Sequence, residues 1–112
     1  MLTYTEITSM EQWKKLMQES EDKKILIFKH STTCPISANA YGAFASYQSP
    51  VDKYLINVIQ SREVSNAVAK DLSIQHESPQ AIVVENGKGT WNASHWDITA
   101  EALDEAINNR HA

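Results

Sequence analysis

Two short runs of almost unbroken apolar residues constrain this chain more than anything else in it. The first is Ile25 to Phe28, inside KKILIFKH, where a strand is predicted from Lys24 to Lys29. The second takes in Tyr54, Leu55, Ile56, Val58 and Ile59. A half-exposed strand alternates apolar and polar residues, whereas an unbroken apolar run suits a central strand covered on both faces. Each run is followed by a segment with helical spacing. Strand, helix, strand in that order pairs the two strands in parallel, with the helix crossing over one face.

The other segments fit around this unit. Ser9 and Gln12 read as a capping box, and Trp13, Leu16 and Met17 put an apolar stripe on the helix that follows. A second helix is predicted from Pro35 to about Ser46, with Ala38, Tyr41, Phe44 and Ala45 near helical spacing and Ser49-Pro50 beyond its end. Ser61 is expected to cap a third helix, Arg62 to Leu72, which turns Val64, Ala67, Val68 and Leu72 inward. Ala81 to Glu85 reads as a third strand. Asn86-Gly87 is a hairpin signal, with Lys88-Gly89 read as widening the loop and Thr90 to Ala93 as the returning strand. Thr99 opens a last helix with Leu103, Ala106 and Ile107 inward. The expectation is one α/β domain over residues 1–112, with a four-stranded mixed sheet flanked by about four helices.

Composition narrows the function classes. Net charge is −4 and the charges are interspersed, which speaks against nucleic acid or an anionic membrane surface as a partner. The longest apolar run, ILIF, is far short of the ~20 residues that span a bilayer. MLTYTEITSMEQW lacks the basic start and apolar core of a secretory signal, so a cytoplasmic protein is expected. The one cysteine excludes an internal disulfide and fits a reducing compartment. His30, Cys34 and His76 lack compact ligand spacing, so no metal is expected. A monomer is expected. Trp91 and Trp96 read as core or edge packing.

The single thiol lies in STTCPISA, between the first buried strand and the second helix. With Cys34 as the helix cap, Pro35 takes the first helical position, where its missing N–H costs nothing. The N–H groups of Ile36 and Ser37 would then point toward the sulfur, and the positive end of the helix dipole favours the thiolate. Thiols at such positions are more acidic than a free cysteine. Ser31, Thr32 and Thr33 make a polar lead-in, which argues against an inert core cysteine. Ser37, three residues on, either bonds the Cys34 thiolate or bonds its own backbone. His30 and His76 either bias Cys34 toward the anion or are ordinary loop residues.

The element order resembles the thioredoxin-like fold. Within it, Thr33-Cys34-Pro35-Ile36-Ser37 resembles the TCPIS motif of the monothiol bacilliredoxins, and the resemblance runs from EITSMEQW through HESPQAIVV to the last helix. It implies a thiol-disulfide oxidoreductase that removes bacillithiol from S-bacillithiolated client proteins. Cys34 would be the nucleophile, supported by Thr33, Pro35, Ile36, Ser37 and Pro79, with Ser78, Thr32 and His76 contacting substrate. Ser37 stands where thioredoxins and dithiol glutaredoxins hold the resolving cysteine of Cys-x-x-Cys. Pro79 is implied to be cis, with the Ser78 backbone free to pair with substrate. No tightly bound cofactor is implied; bacillithiol is a co-substrate, and an external low-molecular-weight thiol or a reductase resolves the adduct. The competing expectation is a non-catalytic redox sensor or adaptor modified at Cys34.

Overall fold

The structure is a computed structural model and describes residues 3–108. In chain order the elements are β1 (Thr5–Glu6), α1 (Met10–Glu19), β2 (Ile25–His30), α2 (Pro35–Ser46), β3 (Asp52–Asn57), α3 (Arg62–Leu72), β4 (Gln80–Glu85), β5 (Lys88–Ser94) and α4 (Ala100–Asn108), with a 3-10 turn at His95–Asp97. The sheet has five strands in the order β1-β3-β2-β4-β5, not the four expected from sequence. The additional strand is β1, two exposed residues that pair in parallel with Tyr54 and Leu55. β2 and β3 are parallel, as their apolar runs required, and β4 and β5 are antiparallel to their neighbours.

Alternation along β2 sorts the core into two layers. Ile25 and Ile27 face α1 and α3, packing with Trp13, Leu16, Val64 and Val68. Leu26 and Phe28 face α2 and α4, packing with Phe44, Leu103 and Ile107. β2 therefore hands the chain to α2 on one face, whereas β3 hands it to α3 on the other. The gap between the carboxyl ends of β2 and β3 is a topological switch point.

Local chemistry explains most element ends. The Ser9–Gln12 capping box is formed in both directions. Thr99 Oγ1 accepts the Ala102 N–H at 3.1 Å. Ser61 holds the capping position of α3, but its side chain makes no capping bond. The hairpin loop is only Asn86-Gly87, both at positive φ, and Lys88 already pairs with Glu85. Lys88-Gly89 thus belongs to β5 rather than to a widened loop, and a register shift at Val83/Val84 absorbs the extra residue.

The buried face of α2 is Ser37, Ala40 and Phe44, while Ala38 is exposed. The carboxyl end of this helix is held by Lys53, only 4% exposed. Its ammonium donates to the carbonyls of Phe44 at 2.6 Å and Tyr47 at 2.8 Å and lies 4.8 Å from the Phe44 ring centroid. Burial lowers the pKa of Lys53. A cation on the last carbonyls complements the negative end of the helix dipole. Lys53 thus pins the far end of the helix that begins at the thiol.

Candidate active site

β2 ends at His30, and the chain turns at once. The Cys34 N–H donates to the Ser31 carbonyl at 3.2 Å, closing the turn, and the Ala38 N–H donates to the Cys34 carbonyl at 3.0 Å, opening α2. Cys34 is the N-cap, with extended backbone (φ −106°, ψ 122°), and Pro35 follows at the first helical position. Its Sγ accepts no capping hydrogen bond, so the Ile36 and Ser37 N–H groups are not engaged with sulfur in this conformation. The thiol is half-buried; Thr32, Thr33 and Pro35 are exposed around it and Ile36 is half-buried. The result is a half-buried cysteine at the positive end of a twelve-residue helix.

Ser37 does neither of the things its position suggested. It is fully buried, and its Oγ accepts the Ser31 N–H at 2.9 Å and lies 2.7 Å from His30 Nδ1. Its hydroxyl ties the first turn of α2 back to the strand end and so sets the shape of the 31–34 loop. The His30 ring stacks between Phe28 and Tyr41, with centroids 5.6 and 5.0 Å away. Burial pushes the pKa of His30 below its ordinary 6.5, so the ring is neutral at pH 7 and brings no cation to the thiol.

His76 belongs to another group of residues. Its Nδ1 lies 2.7 Å from the ammonium of Lys29 and 3.5 Å from Ser65 Oγ. Burial, the Lys29 charge and Arg62 lower its pKa, against a smaller opposing pull from Glu77. Lys29 is fully buried, on the α1/α3 face of β2, and also donates to the Ser65 carbonyl at 3.2 Å. Desolvation brings its pKa from 10.5 down to about 8. Sequence reasoning passed over Lys29, although a lysine closing the run ILIFK was the available signal. Between pH 8 and 10.5 the unfolded chain keeps the Lys29 proton that the folded protein has released. The Lys29 contribution to stability therefore rises with pH across that window. Lys29→Met should remove this dependence. Relative to the variant, the wild type should gain roughly 1–2 kcal/mol between pH 8 and 10 in urea denaturation. A pH-independent difference would count against the depressed lysine.

Antiparallel pairing of Lys29 with Gln80 sets the start of β4 beside the end of β2. The Ser78-Pro79 bond there is cis, and Pro79 is buried. The Pro79 carbonyl accepts the His95 N–H at 3.1 Å, and Gln80 Nε2 donates to the Gln75 carbonyl at 3.1 Å, fixing the loop between α3 and β4. Ser78 Oγ is buried and has no hydrogen-bond partner among the described residues. Topology thus brings Ser78 and Pro79 to the same sheet end as Thr32 to Ser37, whereas His76 turns to Lys29. Trp91 packs on the α2/α4 core layer, but Trp96 is 64% exposed beyond β5 and is not core packing.

A parallel strand, a corner thiol at a helix N-terminus and a cis-proline at the same sheet end define a thioredoxin-fold thiol-disulfide oxidoreductase. The model of the monothiol bacilliredoxin family BrxC matches residues 5–103, and the chain belongs to that family. A solved thioredoxin-fold protein proposed to be an oxidoreductase is 38% identical, with 93% of each chain covered and a TM-score of 0.84. Thioredoxin of Malassezia sympodialis is 19% identical, with 100% of this chain and 94% of that one covered and a TM-score of 0.78. Thioredoxin of Fasciola hepatica is 19% identical over 96% of this chain and 99% of its own, with a TM-score of 0.70. The last two bear on the fold alone.

Proposed function

We propose that this oxidoreductase removes bacillithiol from S-bacillithiolated client proteins. The observation that carries the monothiol part is the lone thiol at the N-terminus of α2, with a buried serine, not a cysteine, three residues on. The Cys34 thiolate attacks the bacillithiol sulfur of the client's mixed disulfide. The client sulfur leaves with the electron pair of the broken S–S bond and takes up a proton. Cys34 now carries bacillithiol. An external thiolate attacks the bacillithiol sulfur, forms a new disulfide with it and restores the Cys34 thiolate. The open N–H groups of Ile36 and Ser37 and the dipole of α2 favour the thiolate as nucleophile and as leaving group. Thr33 and Pro35 shape the corner. Ser78, Pro79 and Thr32 face the substrate, and His76 acts through the loop it anchors. Bacillithiol is a co-substrate rather than a bound cofactor. The clients are cytoplasmic S-bacillithiolated proteins, met by a monomer without nucleic acid or membrane.

Intact mass after mixing reduced protein with bacillithiol disulfide, and separately with glutathione disulfide, tests this reading. One bacillithiol adduct on Cys34, discharged rapidly by reduced bacillithiol, is the expected result. An adduct that resists discharge would point to a sensor, and no adduct from either disulfide would overturn the reading.

A further inference from the structure

The gap at the switch point is a real cavity. It holds about 320 Å³ and is lined by Glu6 of β1, His30 at the end of β2, Thr32, Tyr41 of α2, Asn57 at the end of β3 and Gln60 beyond it, among others. His30 and Asn57 pair in register across its floor. Ligands of open α/β sheets bind at such places, outside the carboxyl ends of strands whose connections leave to opposite faces. The cavity is also within reach of the chemistry. Thr32 is two residues from Cys34, so their Cα atoms are at most about 7 Å apart.

The lining says what kind of ligand fits. Asn57 is buried, and its Oδ1 accepts the N–H groups of Ile59 and Gln60, both at 3.0 Å. That fixes the amide, and its NH₂ donors have no partner among the described residues. Tyr4 and Tyr41 share one hydroxyl–hydroxyl bond of 2.8 Å, which uses one of their two protons. Thr32 and Gln60 are exposed at the rim. Glu6 supplies an acceptor, and among the described residues no lysine or arginine lines the cavity. Fixed neutral donors, hydroxyls, one carboxylate and an aromatic wall suit a hydroxylated ring. They do not suit a phosphate or a carboxylate, which would meet Glu6 without a cation to offset it.

We infer that this cavity is the small-thiol subsite: it holds the sugar-like part of a thiol whose sulfur is joined to Cys34. The inference rests on the proposed function: bacillithiol carries its cysteine on an amino sugar, whose malate carboxylates would stay outside the cavity, in solvent. The client would then approach from the Ser78-Pro79 side, and the two halves of the mixed disulfide would occupy different surfaces.

The test compares adduct formation on Cys34 by bacillithiol disulfide and by cystamine, a disulfide without hydroxyl groups. Gln60→Trp places bulk at the exposed rim. It should slow the bacillithiol reaction about tenfold, the loss of one or two hydrogen bonds, and change the cystamine rate less than about twofold. Tyr41→Phe removes one hydroxyl and keeps the stack on His30; it should slow bacillithiol alone, by about threefold. In the Cys34–bacillithiol adduct, the side-chain amide resonances of Asn57 and Gln60 should shift. Equal effects on both disulfides, no effect on either, or shifts confined to residues 78–80 would overturn the subsite while leaving the exchange reaction standing. A wild type that reacts with cystamine but not with bacillithiol disulfide would instead remove the proposed substrate, and the subsite with it.

Discussion

Cys34→Ala is expected to leave the fold intact and to abolish thiol exchange, with a loss of at least about 10³-fold in the rate at which a bacillithiolated client is reduced. The loss follows from the sulfur inventory. The chain contains one cysteine, so no second thiol can take over the attack. The stability effect should be small, within about 1 kcal/mol. Replacing a capping side chain is costly when its hydrogen bond is lost, but Cys34 Sγ makes no capping bond here. Alanine also fits the extended backbone of that position and leaves Pro35 to start α2. Circular dichroism and urea denaturation should therefore match the wild type, while intact mass shows no adduct from any disulfide. Residual exchange by a folded Cys34→Ala protein would mean that the catalysis belongs to something else in the sample.

The corner was legible because its signals are local. Proline at the first helical position and a buried strand just before it are properties of neighbouring residues, and they place the thiol without tertiary information. The fate of Ser37 was not legible. Its two partners, His30 and the Ser31 N–H, meet it only after the chain has turned, and a serine in the first turn of a helix has several local alternatives. For His76, which precedes Pro79, the sequence leaves open either a bias on the thiol or an ordinary loop position. Its partner is a buried lysine on the other side of β2, and a buried ammonium takes any acceptor within reach.

The fold divides in the same way. β2 and β3 announced themselves through apolar runs, the second interrupted by Asn57, and Asn86-Gly87 through its turn chemistry. β1 has no such signature. Its two residues are exposed, and it is a strand only because β3 offers it an edge. Ala38 keeps near-helical spacing with Tyr41 and Phe44 and is nonetheless exposed, because several small alanines make that helix apolar on most sides. Phe44, fully buried against Phe28 at a centroid distance of 4.8 Å, orients it together with the buried Ser37 and Ala40. The cavity at the ends of β2 and β3 is assembled from β1, β2, α2, β3 and neighbouring loops, and no local pattern could have drawn it.

Ser37→Cys should turn the protein from a monothiol into a dithiol reagent. Residues three apart in a first helical turn have Cβ atoms roughly 5–6 Å apart, and small rotations there bring two sulfurs within bonding distance. The new thiol would attack Cys34 Sγ in the adduct, bacillithiol would leave as its thiol, and an intramolecular disulfide would remain. In buffer without added thiol, the adduct of the variant should decay to the mass of the reduced protein less two hydrogens. The wild-type adduct should persist under the same conditions, because Ser37 is no nucleophile toward a disulfide. The gain has a structural cost. Sulfur is a poor acceptor, so the Ser31 N–H and His30 Nδ1 lose their partner at a fully buried site, worth about 1–3 kcal/mol. The variant should accordingly unfold at lower urea while exchanging without an external thiol. An adduct that persists in a folded variant would mean that the side chain at position 37 stays turned toward His30 and cannot reach Cys34. Release of bacillithiol would then depend wholly on an external thiol, even with a second sulfur in the first turn of α2.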